Sequence, residues 1–414
     1  MTSFETAAVV LGAVLMGGAL LSGLAHRSFL SLTALFVIVG FVLGDGGLHV
    51  IELDPESGFV VGLAEVALIV LLFRDGLEVE SELLQRAWRL PLRKLAIGMP
   101  ITAAVVALAA RALTDLSWTE AFLLGALLSP TDPVLSSAVV TNPRVPRVVR
   151  HSLNLESGLN DGLALPPVLA LIAALSLTRE DFHVVTFVVQ DVGLGLVFGL
   201  AVGWLASVLM PRGAGIPAHQ KSLYALGVAF ATYGVSVLEP HGNGFIAVYV
   251  AAIVLGTRRA DLRVAFEQRS DDIVELVKLG VFVVFGSLLT LDGLFGEGWA
   301  SVTIVVVALL VARPLALAVA LAGTRLSLPV KAFMAWFGPK GVATMTFSII
   351  VLGAGLANGE RIFNLAALVV FVSIIVHSTT DTAGVNWIAH HDAAQRERED
   401  RAAGDGERVR PGSE

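Results

Sequence analysis

The sequence predicts an all-α integral membrane protein of about 13 transmembrane helices, and three observations carry that expectation. Apolar residues fill 55% of the 414 positions and charged residues only 15%, against about 25% charged in ordinary soluble domains. The apolar residues gather into runs of 15–27 positions. Those lengths bracket the roughly 20 residues needed to cross about 30 Å of hydrocarbon. Positive charge falls almost wholly on alternate connections between the runs.

The runs lie near 5–25, 29–44, 57–73, 92–111, 119–140, 151–177, 184–210, 221–238, 243–257, 273–290, 298–323, 329–354 and 362–388. The first has an acid, Glu5, at its start and no basic lead-in, so it reads as a span rather than a cleaved signal. The second is short and reads as tilted or partly covered by neighbours. With the N-terminus outside, 22 of the 28 Lys and Arg lie on inside connections or in the tail. Arg111, Arg179 and Arg361 lie outside, and Lys278, Arg313 and Lys340 fall within runs. Cytoplasmic loops retain Lys and Arg. The expectation is therefore an odd number of spans in the cell (plasma) membrane, N-terminus outside and C-terminus cytoplasmic. Residues 1–388 form the transmembrane domain, and 389–414 a short polar cytoplasmic tail that cannot bury a core. The chain has no cysteine, which excludes disulfides and thiolate-bound metals.

Function then has to reside within the membrane, where an ionisable group costs roughly 3 kcal/mol or more and marks a pathway or a paired site. Three places qualify. At the centre of the fifth run stands Ser129-Pro130-Thr131-Asp132-Pro133. Its two prolines remove two backbone donors and break a helix, leaving Thr131 and Asp132 to face the break. Glu156, Ser157, Asn160 and Asp161 fall within two turns at the start of the sixth run. Ser157 and Asp161, four apart, share one helix face, and Glu156 and Asn160 the adjacent one. A hydroxyl and a carboxylate together suit a hard monovalent cation, and the same carboxylate can take a proton. The twelfth run is interrupted by Gly338-Pro339-Lys340-Gly341, and Lys340 there needs an anionic partner. Glu156 and Glu65 are the candidates.

Runs five and twelve are seven apart, so they cross the membrane in opposite directions. Spans 1–6 and 8–13 would form an inverted repeat with broken helices at spans 5 and 12. Inverted repeats with paired broken helices belong to alternating-access transporters.

SPTDP at 129–133, ESGLND at 156–161, LLFRDGLEV at 71–79 and FGPKG at 337–341 resemble the NhaP/NHE-type monovalent cation:proton antiporters, over about residues 5–388. The resemblance implies that Asp161 binds cation and proton in turn, with Asp132, Thr131 and Ser157 as further cation-binding positions. It implies electroneutral one-for-one exchange, because Asn160 stands where electrogenic relatives carry a second aspartate. It implies that Glu156 pairs with a basic residue of span 12, which here is Lys340 where the family usually has arginine. It also implies a homodimer.

The expected activity is antiport of a monovalent cation (Na+ favoured, K+ or Li+ as alternatives) against H+, with K+/H+ exchange or a cation channel as rival readings. No cofactor is expected besides the transported ions, and no nucleic-acid partner. Enzyme activity is not expected, because the sequence lacks paired Asp-rich motifs and HExxH.

Overall fold

The computed structural model describes residues 32–83, 88–132, 141–176, 184–212, 215–238 and 242–408, with positions 9, 12, 16 and 139. Side chains are described to Val79 in the helix ending at Leu83, and to Asp392 in the last helix. The apolar run near 5–25, save positions 9, 12 and 16, and residues 133–138 and 140 of the fifth run lie outside the described residues.

Among the described residues every regular element is helical and none is a strand. Apolar runs in lipid have no water to satisfy peptide groups, so each run closes its own hydrogen bonds. In chain order the longer helices are α1 (Leu32–Leu43), α2 (Gly58–Leu83), α3 (Arg89–Leu113), α4 (Trp118–Leu127) and α5 (Arg147–Ser176). They continue with α6 (Phe187–Leu209), α7 (Ala218–Leu238), α8 (Gly244–Arg258), α9 (Ala260–Arg269) and α10 (Asp271–Ser287). The last are α11 (Trp299–Ala320), α12 (Leu328–Trp336), α13 (Val342–Gly353) and α14 (Gly359–Arg408). Six of them, α3, α5, α6, α7, α11 and the Gly359–Asp392 part of α14, are long and apolar enough to cross a membrane.

Local chemistry sets several boundaries. Ser117 and Glu120 form a reciprocal cap, with the Ser117 N–H donating to Glu120 Oε2 at 2.7 Å and the Glu120 N–H to Ser117 Oγ at 3.3 Å. That satisfies two of the orphan donors of α4. The Asn243 side chain accepts from the N–H groups of Phe245 and Ile246 at 3.1 Å and starts α8. Turns of π-helix interrupt α3 at Lys94–Gly98 and α11 at Val307–Ala312. Such turns re-aim the side chains around them and are frequent at functional sites.

Several pairs of helices meet backbone to backbone, α6 with α8 and α1 with α10 among them. A Cβ added at Gly195, Gly199 or Gly203 of α6 would lie within 2.6–2.8 Å of the carbonyl oxygens of Asn243, Ala247 or Ala251. The spacing is four residues on both partners. Gly40 of α1 and Gly286 of α10 are reciprocal: a Cβ on either would strike the other helix's backbone, at Val283 O and Val37 O. Small residues at these positions allow the close approach that membrane helices use for packing.

Three boundaries differ from the apolar runs. Helix α2 continues ten residues past the run ending at 73, which places Asp75 inside a helix. Helix α5 begins at Arg147, so Glu156 through Asp161 lie in a helix interior and not in a loop. Helix α14 does not stop at 388 but runs to Arg408. The Ala, Glu, Gln and Arg residues that follow 388 are good helix formers, so the helix carries on past the apolar run.

Candidate functional site

Helix α4 ends at Leu127, and residues 128–132 are not helical. Likewise α12 ends at Trp336, residues 337–341 are not helical, and α13 begins at Val342. The two segments touch. The Asp132 N–H donates to Pro339 O at 2.8 Å, and the Lys340 ammonium donates to Pro130 O at 3.2 Å. Each thus supplies a partner for a peptide group that a continuous helix would have satisfied internally. Gly341 lies so close to Asp132 that a Cβ there would collide with the aspartate side chain.

Helix α5 passes beside this crossing. Its Asn160 amide donates to Thr131 O at 2.5 Å and approaches Thr131 Oγ1 at 3.4 Å. One turn earlier Glu156 Oε1 accepts from Arg313 Nη1 at 3.0 Å and from the Thr131 hydroxyl at 3.4 Å. Its other oxygen forms an ion pair with Lys94. The Lys94 ammonium also donates to Ser152 Oγ at 3.1 Å. Glu156, Lys94 and Arg313 are all buried, so each charge is met by an opposite charge and by hydrogen bonds, as burial requires. Lys94 opens the π-turn of α3 and Arg313 follows that of α11, which aims both cations at one carboxylate.

Arg313 does more. Its Nη2 donates to Met334 O at 3.3 Å and Phe337 O at 3.0 Å, at the carbonyl end of α12. A cation there complements the helix dipole. The expectation that Lys340 pairs with Glu156 is therefore corrected. Lys340 lies within electrostatic reach of Glu156, but the ion pairs belong to Arg313 and Lys94, while its own ammonium binds Pro130 O. Glu65, the other candidate partner, instead lies beside Tyr233 of α7.

Asp161 is buried beside Asn160 and makes no salt bridge or hydrogen bond with the described residues. Asp75, Asp132 and Lys278 lie within its electrostatic reach. Ser157, half-buried, sits one turn before Asp161 on the same face. Thr131, Asp132, Asn160 and Asp161 thus assemble where the two non-helical segments meet α5, with Glu156 behind them. The site can present carboxylate, hydroxyl, amide and peptide oxygens to a small cation, or a carboxylate to a proton. Among the described residues no three acidic or histidine side chains cluster tightly enough to hold a metal ion.

Four participants escape a reading of the sequence. Asp75 looks like the end of a run, Lys94 like part of a loop, and Arg313 has its partner 157 positions away. Lys278 is visible as a charge within a run, but only the fold brings it within electrostatic reach of Asp75 and Asp161. His377 completes the surroundings. Its ring nitrogens lie 2.7 Å from Ser373 O and 3.0 Å from Trp336 O, while Ser373 Oγ accepts from the Lys340 N–H at 3.0 Å.

Comparison with known proteins is consistent along the chain. A family model described as sodium/hydrogen exchanger, transmembrane, matches residues 12–387. The K(+)/H(+) antiporter NhaP of Alkalimonas amylolytica is 24% identical over 94% of this chain and 68% of its own. The K(+)/H(+) antiporter NhaP2 of Shewanella oneidensis is 27% identical over 90% of this chain and 65% of its own. The chain thus spans about two thirds of the length of these relatives. The Na(+)/H(+) antiporter ApNhaP of Aphanothece halophytica is 28% identical over 69% of this chain and 54% of its own. The solved structure of the sodium proton antiporter MjNhaP1 from Methanocaldococcus jannaschii has the same fold, with a TM-score of 0.79 at 20% identity over 94% of this chain and 100% of that one.

Proposed function

Since the chain belongs to the sodium/hydrogen exchanger family, we propose that it exchanges a monovalent cation for a proton across the membrane, with both competing for Asp161. The observation that supports this most is the contrast between two carboxylates one turn and a half apart. Glu156 is neutralised by Lys94 and Arg313, whereas Asp161 is buried with no salt bridge among the described residues. A bare charge at bilayer depth is costly. Asp161 therefore changes sides only when a proton or a cation neutralises it, and that requirement couples the two fluxes.

Asn160 adds no second titratable charge beside Asp161, which supports electroneutral one-for-one exchange. Na+ is the favoured cation, with K+ and Li+ as alternatives; two of the relatives above are named for K+ and one for Na+. The wider reading has 13 spans in an inverted repeat, with the crossed segments 128–132 and 337–341 as the broken helices of spans 5 and 12. It places the N-terminus outside and residues 389–414 in the cytoplasm of a plasma-membrane homodimer. The transported ions are the only cofactors, and no bond-making chemistry is involved.

The test is dequenching of a pH-sensitive dye in acid-loaded everted vesicles given Na+, K+ or Li+, with and without a potential clamp. Dequenching that survives the clamp and disappears in Asp161→Asn is the expected result. Cation-driven proton movement retained by Asp161→Asn would sink the assignment. A current that needs no counter-ion would point to a channel.

A further inference from the structure

We infer that a cavity of about 430 Å³ at the far end of α13 is a cation-gathering site, which collects a hydrated monovalent cation on the outer face before it enters. The inference rests on the exchange reading above and extends it to the route of entry.

Four carboxylates line the cavity, from Asp45, Asp54, Glu56 and Glu360, together with the Thr290 hydroxyl and the Asn364 amide. None of its lining residues is a lysine, arginine or histidine. The adjacent cation, Arg361, is held elsewhere: its Nε meets Glu297 and its Nη2 meets Asp115, both at 2.6 Å. The negative field of the cavity is left unopposed by it. Clefts lined by one sign of charge raise the local concentration of counter-ions.

Asn364 points to a ligand independently of the charges. It is only 8% exposed, yet its amide has no hydrogen-bond partner among the described residues. The amide opens onto the cavity, where only water or a ligand can meet it. Its amide lies beside Gly293, whose N–H is already given to Thr290 Oγ1 at 3.0 Å. A cation or its hydration water would complete that amide.

A purely local explanation covers one of the four acids. Asp54 Oδ1 accepts from the Glu56 N–H at 3.0 Å and so shapes a turn. It does not account for Asp45, Glu56, Glu360 or Asn364. The acids are also too spread to chelate, since no three acidic or histidine groups among the described residues could hold a metal ion. Tight divalent binding needs six to eight oxygens at about 2.3–2.6 Å. A monovalent cation keeping much of its water fits the spacing. Leu352 lines the cavity near the end of α13, and Gly341 at the other end of that helix abuts Asp132. Twelve residues of helix, about 18 Å, thus link the vestibule to the exchange site.

The decisive experiment measures exchange by the Asp45→Asn/Glu56→Gln/Glu360→Gln variant in right-side-out and everted vesicles. At low ionic strength the apparent KM for the cation on the outer face should rise about 3- to 10-fold, with the maximal rate and the inner-face KM unchanged. Choline chloride at about 0.5 M should erase most of that rise by screening. Asn364→Leu should raise the outer KM at both ionic strengths. An outer KM unchanged in the triple variant, or raised equally on both faces, overturns the inference. A readout independent of transport is sodium NMR line broadening by the purified protein in nanodiscs. It should persist in Asp161→Asn and fall about twofold or more when the three carboxylates are neutralised. Broadening unaffected by the triple change overturns the inference even if no exchange is seen, whereas loss of exchange with broadening intact would count against the antiport reading alone.

Discussion

The backbone N–H of Asp132 donates to the carbonyl of Pro339 across 2.8 Å, and this bond fastens the two non-helical segments to each other. A candidate ion ligand thereby takes its position from a residue more than 200 places away in the chain. The site is only as well placed as that crossing.

Gly341 is where the crossing is least tolerant. A Cβ there would meet the Asp132 side chain, including Oδ2 at 2.8 Å. Gly341→Ala should displace Asp132 and slow exchange by about 10- to 100-fold, as small misplacements of reacting groups do. Gly62→Ala, where nothing lies within 4 Å, is the control and should leave the rate unchanged. Dye dequenching on both variants decides the matter.

The ion pairs of Glu156 predict an asymmetry between two cations. Arg313→Met leaves a buried carboxylate with only one of its two cations and should destabilise the protein by about 3–5 kcal/mol. Lys340→Met removes a hydrogen bond to Pro130 O and should cost about 1–3 kcal/mol. Adding Glu156→Gln to Arg313→Met should recover part of the loss, whereas adding it to Lys340→Met should not. Melting temperatures of the purified variants test the order; a larger loss at Lys340 would contradict the assignment.

Ser373 connects the last helix to the interrupted one through the Lys340 N–H at 3.0 Å. Ser373→Ala orphans that buried donor and should cost about 1–3 kcal/mol. Ser373→Thr keeps the hydroxyl and should restore most of the stability. Thermal unfolding of both variants, read with the exchange rate, checks this.

Outside the membrane, Asp261 gives a pH-dependent handle. Hydrogen bonds from Arg259 hold its carboxyl well below the usual carboxylate range; partial burial opposes them, and Lys221 adds to them. A carboxylate with a depressed folded pKa stabilises the fold fully above its unfolded pKa of about 4 and loses that contribution as pH falls below it. The side chain is 39% exposed, so the contribution is about 1 kcal/mol. Asp261→Asn should therefore lower the melting temperature at pH 7, with the gap to the unaltered protein closing under acid.

Much of the architecture is legible because lipid imposes one rule, that a long apolar run must close its own hydrogen bonds. Polar residues inside such runs are conspicuous, and Thr131, Asp132, Glu156, Asn160 and Asp161 do converge on one place. Run lengths say less about where helices end. Asp75 and Lys94 sit at the edges of apolar runs, where a charged residue looks like the start of a loop, yet α2 and α3 carry both inward. Pairing is harder still. Arg313 and Lys340 are equally visible as charges within runs, and nothing in either neighbourhood says which one Glu156 receives. A π-turn in α11 settles it by re-aiming Arg313, and such a turn leaves no mark in hydrophobic periodicity.

The glycines at 195, 199 and 203 bear on how the molecule can move. Each seats its helix directly on successive carbonyls of α8, so sliding by part of a turn would drive side chains into backbone. The next stable seat lies a whole turn away, about 5.4 Å along the axis, and reaching it would unseat every contact at once. Helices α6 and α8 should therefore travel as one body, and α2 with them, because Gly76 and Gly256 seat α2 and α8 on each other's carbonyls, at Tyr249 and Leu77, in the same way.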